Sequence, residues 1–357
     1  WQRCYRISAT FAAFSEFAYS FIATRREAFA VVSKTLWGSE RIPATYHLAG
    51  RFFITVIGLI YCAAFISLAV QIEGLIGPRG ILPASDFLEA VQAALSQRAW
   101  WRVPTVFWLN SGSIALLAAC LLGALAGLFA AFAKRPTAAL VLCYLLYLSL
   151  FNVGREFMSF QWDLLLLEAG FLSIFLNSGT QLVTTLFRLL LFRFMFLSGC
   201  VKLLSGDPSW AALSALEYHY QTQPLPTPLA WYAHHLPAWF DHLCVAGTFV
   251  VELALPFLIF APRRPRMLAA LGFVGLEVII ALTGNYTFFN LLTIALVIFL
   301  IDDGQFNSQL PPCPPLLPTL RKRIGVAIAI PVVLLNGFFM IRPFAGGALP
   351  QWANNAV

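Results

Sequence analysis

The residues best suited to chemistry are a lysine and an aspartate that interrupt long apolar stretches. Lys202 lies in S-G-C-V-K-L-L-S-G-D-P, and Asp163 lies in S-F-Q-W-D-L-L-L-L-E. A lysine taken out of water can release its proton near neutral pH and act as a base. The same two residues can instead form a structural ion pair. Both fall near the same end of predicted helices, so we expect them to pair, and a structural role is favoured over catalysis.

Other polar and aromatic residues map to the depth of Lys202 or to the long segment that follows it. Loops held beside rigid helices are common places for binding surfaces. We therefore predict a polar cavity at this end of the molecule. The residues assigned to it are Arg155, Gln161, Trp162, Glu217, His219, Tyr220, Gln221, Asn285 and Asn290.

Four further charged residues fall near the middle of apolar segments: Glu168, Arg193, Glu252 and Glu277. Charge inside an apolar helix is expensive and is usually paired or functional. The three glutamates are predicted to lie at about the same depth in the membrane as Arg193. We therefore predict a buried charge network that fixes helix packing. Asp163 and Glu168 lie about 140° apart around a helix, so they do not form an acid–base pair.

The elements that must position these residues are membrane helices. The 357-residue chain is 60% hydrophobic and 11% charged, whereas about 25% of residues are charged in an ordinary soluble domain. The net charge of +7 comes mostly from short basic clusters between apolar segments, which does not favour nucleic-acid binding. The seven cysteines show no C-x-x-C and no metal-ligand spacing, so we expect neither a metal nor another cofactor.

The predicted fold class is all-α: a polytopic membrane helix bundle with about nine transmembrane helices. Each apolar segment is long enough to cross about 30 Å of hydrocarbon. Amphipathic helices are expected on the outer surface, one of them over 86–95 after a capping Ser85. The predicted spans are 51–72, 113–132, 137–154, 157–176, 185–204, 241–261, 267–284, 286–302 and 324–342.

Basic clusters indicate the orientation of these spans. Those at 134–135, 263–266 and 321–323 fall on one side, which the positive-inside rule makes cytoplasmic. Segment 205–240 contains no lysine or arginine and falls outside. The proline-rich stretch 311–318, which includes Cys313, is predicted to be a cytoplasmic connector.

Several motifs resemble the lipase maturation factor family. They include L-I-G-P-R-G-I-L-P at 75–83, N-V-G-R-E-F-M-S-F-Q-W-D-L-L-L-L-E-A-G-F-L at 152–172, E-Y-H-Y-Q-T-Q-P-L-P-T-P at 217–228, E-L-A-L-P-F at 252–257 and T-G-N-Y-T-F-F-N-L-L-T at 283–293. The resemblance implies an integral membrane protein. Animal members act in the endoplasmic reticulum, where they help dimeric lipases reach an active fold. The expected location is a bacterial inner membrane, or the endoplasmic reticulum in a eukaryote.

Two weaker likenesses concern parts of the chain. The segment S-G-C-V-K-L-L-S-G-D-P-S-W is similar to the part of vitamin K-dependent γ-carboxylases that carries their catalytic lysine, here Lys202. Residues 16–29 are similar to the tail of the DCC family of thiol-disulfide oxidoreductase-like proteins. This implies a fused or separate oxidoreductase as a partner.

These readings divide the chain into three regions. Residues 1–45 form an N-terminal helical segment, 46–345 the transmembrane domain, and 346–357 the start of a further C-terminal region.

The favoured function is maturation of a secreted client protein such as a lipase, through the outer segments 73–112 and 205–240. Membrane lipid is the other expected partner. The first alternative is a membrane-embedded modifying enzyme with Lys202 as base, and a transporter is the second.

Overall fold

The computed structural model describes Tyr5 and residues 8–38, 45–176, 181–223, 225–306 and 318–341. Throughout these residues the regular structure is helical and there is no β-strand, so the predicted all-α class is confirmed. The predictions on Cys313, on all but the last residue of the connector 311–318 and on the region 346–357 lie outside the described residues.

Sixteen α-helices follow one another along the described chain. They are α1 (Ala9–Thr24), α2 (Arg26–Trp37), α3 (His47–Ile76), α4 (Ala84–Leu95), α5 (Ala99–Arg102), α6 (Ser113–Phe132), α7 (Thr137–Gly154), α8 (Gln161–Ile174), α9 (Gln181–Leu204), α10 (Pro208–Ala211), α11 (Ala215–Thr222), α12 (Pro228–His234), α13 (Ala238–Phe249), α14 (Arg263–Thr283), α15 (Phe289–Val297) and α16 (Pro318–Ile341).

Short turns of other helix types extend or join them. Val250–Ala254 is a π-helical turn, and 3₁₀ turns occupy Ser96–Arg98, Val106–Trp108, Arg155–Phe157, Leu255–Phe260, Ile298–Leu300 and Asp303–Phe306.

Six described helices are long and apolar enough to cross a membrane. They are His47–Ile76, Ser113–Phe132, Thr137–Phe157, Gln181–Leu204, Ala238–Phe260 and Arg263–Thr283. The predicted count of nine is not confirmed. Helix α8 has only 14 residues, about 21 Å of helix, which is shorter than the hydrocarbon core. The apolar helix Phe289–Leu300 and the apolar part of α16, Ala329–Phe338, are shorter still.

The core begins with the close crossing of α3 and α6. A Cβ added to Gly58 would lie 2.6 Å from the carbonyl oxygen of Gly127, and one added to Gly127 would lie 2.7 Å from that of Gly58. Small residues at such a crossing let two backbones touch, which is the usual source of tight packing between membrane helices. Around this crossing pack large buried rings, among them Phe53, Tyr61, Phe65 and Tyr147.

Carboxylates close the predicted cytoplasmic end of the bundle. Asp302 binds Arg263 at 2.6 Å and Arg266 at 3.1 Å. Asp303 accepts hydrogen bonds from the backbone amides of His47 and Leu48 at the start of α3, at 2.7 and 3.1 Å. An acidic side chain at a helix N-terminus satisfies amides that have no partner within the helix. These contacts tie the inner ends of α3 and α14 to the segment after α15.

The outer segments are more ordered than the sequence predicts. Segment 205–240, expected as a long polar loop, contains the three short helices α10, α11 and α12. The expected outer helix over 86–95 is present as α4, but it begins at Ala84. Ser85 therefore lies inside the helix instead of capping it, and its hydroxyl binds Asp86.

Candidate functional site

Lys202 forms a two-pronged ion pair with a buried glutamate. Its Nζ donates to Oε1 and Oε2 of Glu252 at 2.7 and 2.8 Å. The carboxylate is enclosed, with Glu252 5% exposed, while the lysine side chain remains 24% exposed. Nζ also donates to the carbonyl of Ser198 at 3.3 Å and lies 5.5 Å from the centre of the Trp210 ring. The amine thus lies between a carboxylate and an aromatic face, both of which attract a cation.

The backbone around Glu252 departs from a regular α-helix, and the sequence shows why. Glu252 lies within the π-helical turn Val250–Ala254 that follows α13. Four residues later comes Pro256, which has no amide hydrogen, so the usual helical bond to the carbonyl of Glu252 cannot form. Single π-helical turns inside membrane-spanning helices are frequent at functional sites.

Gly199 lets α9 approach this turn closely. A Cβ at Gly199 would lie 2.6 Å from Cδ2 of Leu253 and 3.1 Å from Cβ of Glu252. Any larger side chain would push the turn away from α9. The glycine therefore sets the distance across which Lys202, one turn further along α9, reaches its carboxylate.

A second buried carboxylate lies beside this pair. Oε2 of Glu277 on α14 accepts a hydrogen bond from Nδ2 of Asn290 on α15 at 2.8 Å, and both residues are 4% exposed. Glu277 lies within electrostatic reach of both Lys202 and Glu252. Four residues from four different elements thus form one group, called here the outer charge cluster: Lys202, Glu252, Glu277 and Asn290.

The predicted pairing of Lys202 with Asp163 is wrong. Oδ1 of Asp163 accepts a hydrogen bond from the hydroxyl of Tyr147 on α7 at 2.5 Å, because the first turn of α8 faces α7. Asp163 is 4% exposed, and its Oδ2 has no hydrogen-bond partner among the described residues. The pair was predicted because both residues lie at a similar depth. Which residues contact each other depends instead on the direction in which each helix presents its side chains.

The predicted network around Arg193 is found in part: one of its three candidate carboxylates pairs with it, and the other two have different partners. Arg193 forms an ion pair with Glu168 on α8. Glu252 instead binds Lys202, and Glu277 binds Asn290. Nine residues of α-helix amount to about 900° of rotation, so Arg193 and Lys202 lie on opposite sides of α9. Charges at similar depth therefore separate into two groups.

The segment above the outer charge cluster brings several predicted site residues together. Glu217 on α11 binds Nε2 of His242 on α13 at 3.2 Å, and Gln221 binds Nε2 of His234 at 2.8 Å. His219 is half-buried. Its pKa is lowered from the ordinary 6.5, mainly by burial and in addition by the nearby positive charge of Lys202. Burial also raises the pKa of Tyr220 to about 12.

The remaining predicted cavity residues lie apart from this group. Arg155 packs over the ring of Phe87 on α4 at 4.9 Å and pairs with its neighbour Glu156 at 3.6 Å. Gln161 is exposed at the start of α8. Trp162 stacks on Phe160 and touches the edge of Phe289. Asn285 is exposed and accepts a bond from the Thr287 amide at 3.3 Å.

Three residues that belong to the site were not predicted from the sequence. Trp210 covers Lys202 from α10, and His242 holds Glu217. Gln223 is buried and donates to the carbonyl of Thr283 at 2.8 Å. The break at Gly206-Asp207-Pro208 was a usable signal for Trp210, because proline at the first helical position marks the start of α10. Nothing in the sequence marks the other two.

The arrangement of the outer charge cluster fits a structural role better than base catalysis. Nζ of Lys202 donates two hydrogen bonds to a buried carboxylate, so the amine is engaged by the protein on that side. Among the described residues, no group of three or more histidine, cysteine, aspartate or glutamate side chains is placed to hold a metal ion.

Comparison with known proteins agrees with the motifs noted in the sequence. The family described as the lipase maturation factor transmembrane domain matches residues 48–308. Lipase maturation factor 2 of Gallus gallus is 44% identical over 284 residues, covering 72% of this chain and 39% of the relative. The Mus musculus protein of that name is 42% identical over 339 residues, covering 85% and 45%.

More divergent relatives match as well, and the matched regions are partial. Lipase maturation factor 1 of Homo sapiens is 33% identical over 305 residues, covering 78% of this chain and 53% of the relative. The chain thus spans about half or less of the length of these curated relatives. No solved structure matches it. With the family's transmembrane domain accounting for 48–308, the chain belongs to the lipase maturation factor family and is an integral membrane protein.

Proposed function

We propose that this chain is the membrane-embedded part of a factor that helps a lipase reach its active fold. The observation that carries the proposal is the match of residues 48–308 to the family's transmembrane domain. The relatives that support it are named as lipase maturation factors 1 and 2. The chain spans less than half of the mouse relative.

The outer charge cluster serves this function as a structural anchor. Lys202 occupies the last turn of α9, directly before the segment that holds α10, α11 and α12. Its pair with Glu252 and its contact with Trp210 link α9, α13 and α10. The pair thereby holds the outer segment at a fixed position over the bundle. In this role Lys202 is engaged by Glu252, so the enzyme alternative with Lys202 as base is not favoured.

The proposed location is the endoplasmic reticulum membrane, with segment 205–240 on the lumenal side. The relatives compared come from vertebrates and give no support to a bacterial inner membrane. The orientation rests on the basic clusters at 134–135 and 263–266. Contacts support their position at one end of the bundle: the start of α3 binds the carbonyl of Ala133 after α6 and the carboxylate of Asp303, and the neighbouring Asp302 binds Arg263 at the start of α14. A thiol-disulfide oxidoreductase partner stays a prediction.

A secretion assay tests the function. The chain is expressed in cells whose lipase maturation is disabled, and the activity of secreted lipase is divided by its mass. We expect the chain to raise this specific activity, and Lys202→Met to lower the gain in proportion to the folded chain that remains. Correctly inserted, folded chain that leaves the lipase inactive would contradict the proposal. Glu156→Gln, which removes the charge of the exposed partner of Arg155, is the matched control.

A further inference from the structure

Helix α12 and the start of α13 present large apolar side chains that are mostly exposed and whose ring contacts, among the described residues, are only to near neighbours in the chain. Trp231, Tyr232 and Trp239 are 61%, 65% and 66% exposed. Leu229 and Leu236 are exposed beside them. These five residues are called here the outer aromatic surface. An exposed apolar surface of this kind marks contact with a protein or a membrane.

Two connections fix the depth of this surface. Thr227, which caps α12, donates from its hydroxyl to the carbonyl of Leu282 at 2.5 Å. Gln223 donates to the carbonyl of Thr283 in the same last turn of α14 at 2.8 Å. At its other end the segment leads directly into the membrane span that begins at Ala238. Helix α12 therefore lies at the level where two membrane spans leave the hydrocarbon.

The inner side of α12 is committed to the protein. Ala230 is fully buried, and the helix packs against α11 and α14. Small residues face inward and large ones outward, so the orientation of α12 is set by packing. The aromatic side chains are thus turned away from the bundle for a reason that does not depend on any ligand.

The chemistry of the surface matches the interface of a lipid bilayer. No aspartate, glutamate, lysine or arginine occurs from Tyr218 to Phe240. Tryptophan and tyrosine concentrate at membrane interfaces, where an apolar ring and one polar group are both satisfied. The surface also continues into the exposed apolar side of α13 and the turn after it, at Leu243 and Val250, which faces acyl chains in a membrane-spanning helix.

We propose that the outer aromatic surface inserts into the headgroup region of the outer leaflet. Helix α12 then lies flat on the bilayer as an anchor instead of projecting into the aqueous compartment. The occupant of this surface is membrane lipid, not a client protein or a second copy of the chain. This inference rests on the geometry of α12 and does not depend on the proposed lipase client.

Tryptophan fluorescence of the full chain in phosphatidylcholine vesicles tests the proposal. The emission of the Trp231→Phe/Trp239→Phe variant is subtracted from that of the unchanged chain, which isolates the signal of these two indoles. We expect lipids brominated near the headgroup to remove about half of this difference signal, since interfacial rings lie at that depth. Acrylamide in the water should remove much less. Trp162, with protein rings on both sides, supplies the control through Trp162→Phe.

Two results would overturn the proposal. Strong quenching by acrylamide without quenching by brominated lipid would place the surface in water, where a client could bind it. Resistance to both quenchers would mean that protein, such as a second copy, covers it. A nitroxide attached through Leu236→Cys gives an independent reading if the tryptophan variant folds poorly. Its relaxation should respond to oxygen dissolved in lipid more than to a water-soluble paramagnetic reagent.

Discussion

Arg193 and Lys202 occupy opposite sides of α9, and each pairs with a glutamate on a different neighbouring helix. Arg193 reaches Glu168 on α8, whereas Lys202 reaches Glu252 in the turn after α13. Helix α9 thus binds α8 through Arg193 and the turn after α13 through Lys202. Since breaking a pair leaves a charge in an apolar setting, each pair specifies which neighbour lies on which side.

Removal of the Arg193 charge should weaken the bundle. Arg193→Leu leaves Glu168 without its ionic partner at mid-depth, so we expect a loss of about 3 kcal/mol. Thermal unfolding in detergent measures the effect. Glu156→Gln, at the exposed partner of Arg155, should change stability by less than about 1 kcal/mol. Equal melting temperatures for Arg193→Leu and the unchanged chain would show that the pair does not contribute to stability.

Gly199 should be intolerant of even one added methyl group. Gly199→Ala places a Cβ 2.6 Å from Leu253 and 3.1 Å from Glu252, so the π-helical turn must move outward and stretch the Lys202 contact. We expect a loss of about 1–3 kcal/mol, the usual cost of overpacking.

Gly275→Ala is the matched control for that change. Its added Cβ would meet nothing within 4 Å, and alanine is the better helix former by roughly 0.5–1 kcal/mol. A chain in which both alanine variants unfold alike would contradict the close approach of α9 to the π-helical turn.

The sequence predicts well the fold class and the position of each charged residue along its helix, because both depend on composition and on the length of the apolar segments. The apolar segments and basic clusters predict an all-helical membrane protein. The sequence places Lys202 at the outer end of α9. Position along a helix does not determine which neighbouring helix a side chain faces. The direction in which Glu252 points depends on the π-helical turn before Pro256. If 100° per residue is assumed across that turn, as in a regular α-helix, the predicted direction of the Glu252 side chain is wrong. Asp163 was misassigned for a similar reason, since helix packing turns it toward Tyr147.

The hydroxyl of Tyr147 should contribute measurably to stability. Tyr147→Phe removes the hydrogen bond that satisfies one oxygen of the buried Asp163 carboxyl. We expect a loss of about 1–3 kcal/mol, the cost of an unsatisfied buried polar group. Asp163→Leu/Tyr147→Phe removes both groups and should recover part of that loss. Additive effects in the melting temperature would argue against the contact.

His219 should make the folded chain sensitive to acid. Its pKa is lower in the folded state than the ordinary 6.5, so the unfolded state binds more protons below that value. Stability is therefore lost as the pH falls below 6.5, until the folded residue also takes up a proton. His219→Gln should reduce this loss in unfolding curves recorded across the range. An identical acid dependence in the variant would contradict the assignment.

The most direct test of this account is a double-mutant cycle at Lys202 and Glu252, read by thermal unfolding. Lys202→Met and Glu252→Leu should each cost about 3 kcal/mol, the low end for buried pairs because Lys202 keeps some contact with water. The double variant should recover much of that loss, and Lys202→Met should add independently to Asp163→Leu. Coupling of Lys202 to Asp163, with none to Glu252, would contradict the central claim that Lys202–Glu252 anchors the outer segment.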